Sequence, residues 1–160
     1  YDGRREAVGL DEGGSPDPQA SRPAADAAGD QIAYQRPDAD ARQQIYLNDL
    51  LRVERLSLVN DPLLGVLEHC CAALSADGRY LAYREQGAEG PAWLHLHDRD
   101  RARDVRLAWP EDAALAEQAP VFRNEDRELW WINPEQGPGQ AEVLHRLNNP
   151  LSESSTPSTR

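Results

Sequence analysis

The sequence predicts an all-β fold built from repeated four-stranded antiparallel sheets, and three observations carry that prediction. The first is internal self-similarity. A shift of 49 residues lays Ala28-Gly29-Asp30-Gln31-Ile32-Ala33-Tyr34 on Asp77-Gly78-Arg79-Tyr80-Leu81-Ala82-Tyr83, so that the Gly, the aliphatic, the Ala and the Tyr coincide. A further 48 residues reaches Glu125-Asp126-Arg127-Glu128-Leu129-Trp130-Trp131, where Asp replaces the Gly, and Pro23, Ala72 and Pro120 fall in one column. Near-constant periods of this size are the signature of a repeat architecture. The second is that apolar residues alternate within each copy and the breaks are filled by Gly, Pro, Asp and Asn, which reads as short strands joined by turns. The third is that no amphipathic helical pattern of useful length competes.

Taken in order, Arg4–Leu10 aligns with Arg52–Leu58 and is expected to be the last strand of a sheet, followed by the polar connection Gly9–Ala20, so that residues 1–20 form a strand plus linker. Residues 21–60 form the first complete unit, in which Ile45–Asp49 maps onto Leu94–Asp98 and Leu56–Leu58 onto Val105–Leu107. Residues 69–109 form the second. There a strand at Ala72–Leu74 turns at Ser75-Ala76-Asp77-Gly78 into Arg79–Arg84, with Tyr80 and Ala82 on one face and Leu81 and Tyr83 on the other. Asp77 and Gly78 suit the turn because Gly accepts positive φ and Asp bonds its own nearby backbone. After a polar loop at Glu85–Pro91 come strands at Trp93–His97 and Ala102–Ala108, with Asp98–Arg101 between them. Residues 119–149 supply three strands, at Pro120–Arg123, Arg127–Ile132 and Ala141–Leu147, and residues 150–160, rich in Ser, Thr and Pro, are expected to be a flexible polar tail.

Four antiparallel strands per copy describe a propeller blade. Three blade equivalents fall short of the four to eight blades of a closed ring, which leaves two readings. Either the chain is a segment of a longer propeller, or two copies associate head to tail into a six-bladed ring, each N-terminal strand filling the other's open edge. The first is preferred, since the sequence begins at Tyr1 and contains no Met.

The segment Leu74-Ser75-Ala76-Asp77-Gly78-Arg79-Tyr80-Leu81-Ala82-Tyr83, followed by Leu94-His95-Leu96-His97-Asp98, resembles the repeat of TolB-type, WD-repeat-like β-propellers. The flanking copies, Asp26-Ala27-Ala28-Gly29 and Arg123-Asn124-Glu125-Asp126, keep less of it. The resemblance implies a non-catalytic scaffold that binds a protein or small ligand through its loops, in a periplasmic, cell-envelope or secreted setting. The alternative it implies is an accessory propeller of a larger oligopeptidase-like enzyme with its catalytic domain outside these residues, for which an α/β-hydrolase segment in the complete reading frame would speak. A sensory propeller fused to a regulatory segment is a third reading.

Composition narrows the partners. Asp+Glu total 28 against 17 Lys+Arg, all of them Arg, for a formal net charge of −11. Nucleic acid is therefore excluded as the expected partner, because phosphate backbones are bound by cationic side chains that displace counterions. The apolar runs are far too short for a membrane span.

Catalytic constellations are absent. Ser75 lies in no Gly-x-Ser-x-Gly elbow, and the Gly-rich stretches Gly13–Pro18 and Gly87–Pro91 are followed by no Lys and no helix, so they are not phosphate cradles. No cofactor is expected. His95 and His97 alternate on one strand and share a face within reach of a common ion, yet Tyr46 and Asn48 stand at the equivalent positions and no third ligand is identified, so no metal is assigned. Adjacent Cys70 and Cys71 lack the spacing of zinc or redox motifs. A vicinal disulfide competes with two small packing thiols, and the thiols are preferred because bridged Cα atoms usually sit farther apart than chain neighbours. Trp131 stands where the other copies have Tyr, an aromatic core position, whereas Trp130 stands where they have Ala and reads as a gap-filler or an interface anchor.

Overall fold

A computed structural model describes residues 18–49, 53–55, 60–61, 65–87, 92–108, 119–133 and 143–152. The described residues are all β, with no helix, in three antiparallel sheets. Sheet I contains β1 (Ser21–Ala25), β2 (Ile32–Pro37), β3 (Gln43–Asn48) and β4 (Val53–Arg55). Sheet II contains β5 (Asn60–Asp61), β6 (Gly65–Leu74), β7 (Tyr80–Gly87), β8 (Ala92–Asp98) and β9 (Arg103–Ala108). Sheet III contains β10 (Val121–Arg123), β11 (Glu128–Asn133) and β12 (Val143–Asn148). In each sheet the strands pair in chain order, as expected where short turns join neighbours. No ring is closed among these residues. The expected strand Arg4–Leu10 lies outside the described residues.

The packing of the sheets repeats. Sheet I presents Ala33, Ile45 and Leu47 to Leu81 and Tyr83 of sheet II, forming one buried cluster with Ala72 and Leu74. The opposite face of sheet II presents Ala82, Leu94 and Leu96 to Leu129 and Trp131 of sheet III, forming a second with Tyr80 and Leu151. Ala33 and Ala82 are repeat equivalents, as are Leu81 and Leu129, and Tyr83 and Trp131. The same pair of faces therefore meets at both seams, because strand alternation sends successive side chains to opposite neighbours. Trp131 is core, as its alignment with Tyr83 indicates.

The turn chemistry repeats as well. Ser75 Oγ accepts from the Tyr80 N–H at 2.8 Å and donates to Asp77 Oδ1 at 2.7 Å, while Asp77 Oδ1 also accepts from the Arg79 N–H at 2.9 Å. In sheet I the Ser is absent, and Asp26 takes over its role: one carboxylate oxygen accepts from the N–H groups of Gly29, Asp30 and Gln31 at 2.7, 3.0 and 3.3 Å. Gly29 and Gly78 both have positive φ, at 79° and 71°. The third turn has no Gly, and Asn124, Glu125 and Asp126 all adopt left-handed φ of 53–63°. The three turns adjoin: the Ala27 N–H donates to the Ala76 carbonyl at 2.9 Å, and the Ala76 N–H donates to the Asp126 carboxylate.

Gly78 also carries a close approach. A Cβ there would stand 2.5 Å from Gln31 Oε1, whereas one at Gly29 would meet nothing within 4 Å. Gln31 in turn accepts from Arg99, which also donates to the Gly78 carbonyl at 2.8 Å. Gly78→Ala is expected to cost about 1–2 kcal/mol and Gly29→Ala roughly half that, since both incur the left-handed penalty but only the first must displace Gln31. Thermal denaturation of the two variants checks the order.

Three expectations are corrected. The strand expected at Ala72–Leu74 starts at Gly65, and β5 joins it to make five strands, because Gly65 and Val66 pair with β5 and residues 67–70 pair with the second half of β7. The stretch read as a polar loop from Glu85 is strand as far as Gly87, its one charged residue, Glu85, being met by side chains rather than by solvent. Leu151, placed in the polar tail, is 1% exposed and sits in the second core cluster. It is held there by Asn149, whose Oδ1 accepts the Leu151 N–H at 3.0 Å and whose Nδ2 donates to the Asp126 carbonyl at 2.8 Å.

Candidate functional site

Two features of chemical interest follow from this arrangement. The first is a groove. The strand that leads into the hairpin turn of each repeat, β1, β6 and β10, contributes to one cavity of about 580 Å³. Its walls are small and apolar, from Pro23, Ala24, Ala72, Ala73, Leu74, Pro120, Val121 and Phe122, and its charges are Arg22, Asp26 and Asp126. Burial, then the neighbouring Asp77 charge, holds the Asp126 carboxyl above the usual Asp range, against the Ala76 N–H that lowers it. A cation or an amine entering there would relieve that repulsion.

The second is a polar chain buried at the seam between sheets I and II. Tyr83 and Glu85 on β7, His95 and His97 on β8, Asp104 and Arg106 on β9 and His69 on β6 project from one face, because cross-strand register pairs Glu85 with His69, Tyr83 with His95, His95 with Arg106 and His97 with Asp104. His69 Nε2 stands 3.3 Å from Glu85 Oε2, with both side chains fully buried. His95 Nδ1 lies 3.6 Å from the same oxygen, and Arg106 Nε lies 2.8 Å from Glu85 Oε1 as an ion pair without hydrogen-bond geometry. On its other side His95 Nε2 meets Asp104 Oδ1 at 2.8 Å, and His97 Nδ1 meets the same oxygen at 2.8 Å. The Tyr83 ring stacks on His95 with centroids 4.7 Å apart and stands edge-on to His69 at 5.4 Å.

The electrostatics follow from the contacts. Burial would raise Glu85, but the ring nitrogens of His69 and His95, with the charge of Arg106, hold its carboxyl down at about 2. Asp104 is likewise lowered, burial opposing and the two histidines prevailing. The Tyr83 hydroxyl is raised by burial and then by the charges of Glu85 and Asp104. A row of imidazoles and carboxylates thus runs from buried His69 to the half-exposed Asp104 and His97, in hydrogen-bond contact at His69–Glu85 and at His95–Asp104–His97 and in ionic contact between Glu85 and His95.

The residues singled out by sequence fall as follows. His95 and His97 do share a face, and it is the Asp104 carboxylate that bridges them; among the described residues no group of three or more His, Cys, Asp or Glu is disposed to hold a metal. Asp77 and Gly78 form the turn described above. Cys70 and Cys71 are paired as a vicinal disulfide, with Cα atoms 3.7 Å apart, which corrects the preference for free packing thiols. The reason is backbone: Cys71 has φ of 62° at a β-bulge, so the chain is not extended there and both sulfurs come to one side. Trp130 is half-buried, its indole N–H donating to Glu128 Oε2 at 2.8 Å. Glu85, Asp104, Arg106 and His69 were not foreseen. The signal available was alternation: Glu85 continues the Leu81, Tyr83 face, and Asp104 and Arg106 alternate on the next strand.

Fold and site together define an all-β protein of three antiparallel sheets that pack through the same two faces at each seam. No protein-family model matches the chain, and no curated protein matches it by sequence. Among solved structures the chain is similar to the crystal structure of TolB from Acinetobacter baumannii, with a TM-score of 0.42 and 13% identity over 79% of this chain. It spans 40% of the length of that chain. No helix among the described residues is long and apolar enough to cross a membrane.

Proposed function

We propose that the three sheets are successive blades of a TolB-like β-propeller, and that the chain is a non-catalytic interaction module that binds a peptide segment or small ligand in the groove along its leading strands. The observation that carries this reading is that β1, β6 and β10, one from each repeat, line a single cavity. In a radial array the leading strands are the ones that converge. The apolar walls with Asp26 and Asp126 suit an extended apolar segment ending in a basic group, recognised by desolvated contact along its length and by charge at its end. A periplasmic, cell-envelope or secreted setting fits the disulfide, since such bonds persist in oxidising compartments.

The array also needs a neighbour. On sheet III the face equivalent to those that sheets I and II bury carries Trp130, with Val121 beside it at 49% exposed and Leu144 at 56%. A further blade, from the same polypeptide or from a second copy, is the proposed occupant.

Binding is tested with fluorescent Ala/Pro-rich peptides that differ only in a terminal Arg or Glu. The Arg peptide is expected to bind and the Glu peptide to fail. Ala25→Trp, at an exposed groove position, is expected to abolish binding with less than about 1 kcal/mol lost in stability. Equal binding of both peptides, or binding undisturbed by the Trp, overturns the reading.

A further inference from the structure

The Cys70–Cys71 disulfide closes the shortest loop a chain offers, so its contribution to stability through chain entropy is the smallest such a bond can make. Nor is it what shapes the backbone. The same bulge occurs one repeat earlier without any cross-link: pairing jumps from Ser21↔Gln35 to Ala24↔Ala33, as it does from Cys70↔Arg84 to Ala73↔Ala82. Arg22 there has φ of 49° where its equivalent, Cys71, has 62°. Sheet I holds the bulge independently, since Gln35 Oε1 accepts from the Cys71 N–H at 3.3 Å and Gln35 Nε2 donates to the His69 carbonyl at 3.2 Å. The two sulfurs are therefore kept together by main chain that does not depend on the bond between them.

Their surroundings differ in a way that sets a direction of attack. Cys70 is half-buried and borders a small cavity of about 100 Å³ together with Arg84 and Gln86. Cys71 borders the larger groove but is only 1% exposed, and Arg22 Nη1 lies 3.5 Å from its sulfur. A thiolate is a better leaving group beside a cation, because the cation lowers the thiol pKa.

We infer that Cys70–Cys71 is a reversible thiol–disulfide exchange site whose co-reactant is a dithiol. One thiolate of the dithiol attacks Cys70 Sγ, the Cys70–Cys71 bond breaks as the new bond to Cys70 forms, and Cys71 departs as a thiolate against Arg22. The second thiol of the reductant, deprotonated, attacks its own sulfur in the mixed disulfide and releases Cys70. Two electrons pass to the protein, the reductant becomes a disulfide, and its two protons end on the two cysteines. Cys70 is the attacked sulfur, Cys71 the leaving one, and Arg22 a positioning residue.

Dithiothreitol is the probe. Untreated protein is expected to react with no thiol reagent and treated protein with two equivalents, while far-ultraviolet circular dichroism stays unchanged. With glutathione, a monothiol, as the reductant and the freed thiol alkylated at once, the mixed disulfide is expected on Cys70 and the alkyl group on Cys71 by peptide mass spectrometry. Arg22→Ala is expected to slow reduction by about three- to tenfold and Arg22→Lys to restore most of the rate. Thiols free before treatment, loss of the β signal on reduction, an adduct on Cys71, or Arg22→Ala reduced as fast as the parent each overturn the assignment. Because Arg22 is exposed on β1, its variants keep the fold that the rate comparison needs.

Discussion

Glu85→Ala is expected to lower the unfolding free energy by about 3–5 kcal/mol, the cost of removing one partner from a buried charged network and leaving the others uncompensated. Glu85 is fully buried and faces His69, His95 and Arg106 at 3.3, 3.6 and 2.8 Å. Without it, buried His69 loses its carboxylate partner at 3.3 Å and Arg106 loses one at 2.8 Å, His95 keeps only Asp104, and a side-chain-sized void opens beside Tyr83. Glu85→Gln keeps the volume and is expected to cost less. Urea denaturation of the three proteins at neutral pH gives the order.

The same residue predicts a pH dependence. Its folded pKa, about 2, lies below the ordinary Glu value of 4.5. A depressed carboxyl contributes stability that is fully present above the unfolded pKa and lost as pH falls through the folded one. Stability is thus expected to fall between about pH 5 and pH 2, by up to about 3 kcal/mol from Glu85. Asp104, lowered by His95 and His97, acts in the same direction. Glu85→Gln is expected to flatten most of this acid limb. If its midpoint falls with acid as steeply as that of the parent, the seam is not what acid breaks.

Glu85 also shows where reading the sequence stops. The repeat was legible because glycines at equivalent turns and a conserved alternation of apolar residues recur at a fixed shift, and those are one-dimensional signals. Gly29 and Gly78, Ala33 and Ala82, and Tyr83 and Trp131 do occupy matching places. A buried Glu carries no such mark. Standing at the head of the polar run Glu85–Pro91 it reads as loop, and only the partners on three neighbouring strands make strand the favourable state. The disulfide was illegible for a related reason: what brings Cys70 and Cys71 together is a left-handed residue at a bulge, and bulges are set by pairing across the sheet. His95 and His97 were legible as a pair on one face. Their common partner was not, because Asp104 becomes adjacent only through the β8–β9 register.

The adjacent tryptophans separate core from surface in one experiment. Trp131 is 4% exposed and packs among Tyr80, Ala82, Leu94, Leu96 and Leu129 at the seam of sheets II and III. Trp131→Ala is expected to cost about 3–5 kcal/mol, since it removes the largest side chain from a cluster that two rigid sheets cannot close around. Trp130 points the other way, onto the face with Val121 and Leu144. Trp130→Ala is expected to cost under about 1 kcal/mol in the isolated chain, because its half-buried ring contacts no opposing sheet among the described residues and its N–H returns readily to water. If that face meets another blade, as proposed, the variant instead weakens association, and light scattering across a concentration series will show a shift toward the lighter species that Trp131→Phe does not produce. An unchanged mass profile in Trp130→Ala would leave the face without a neighbour, and the array would then end at sheet III in solution.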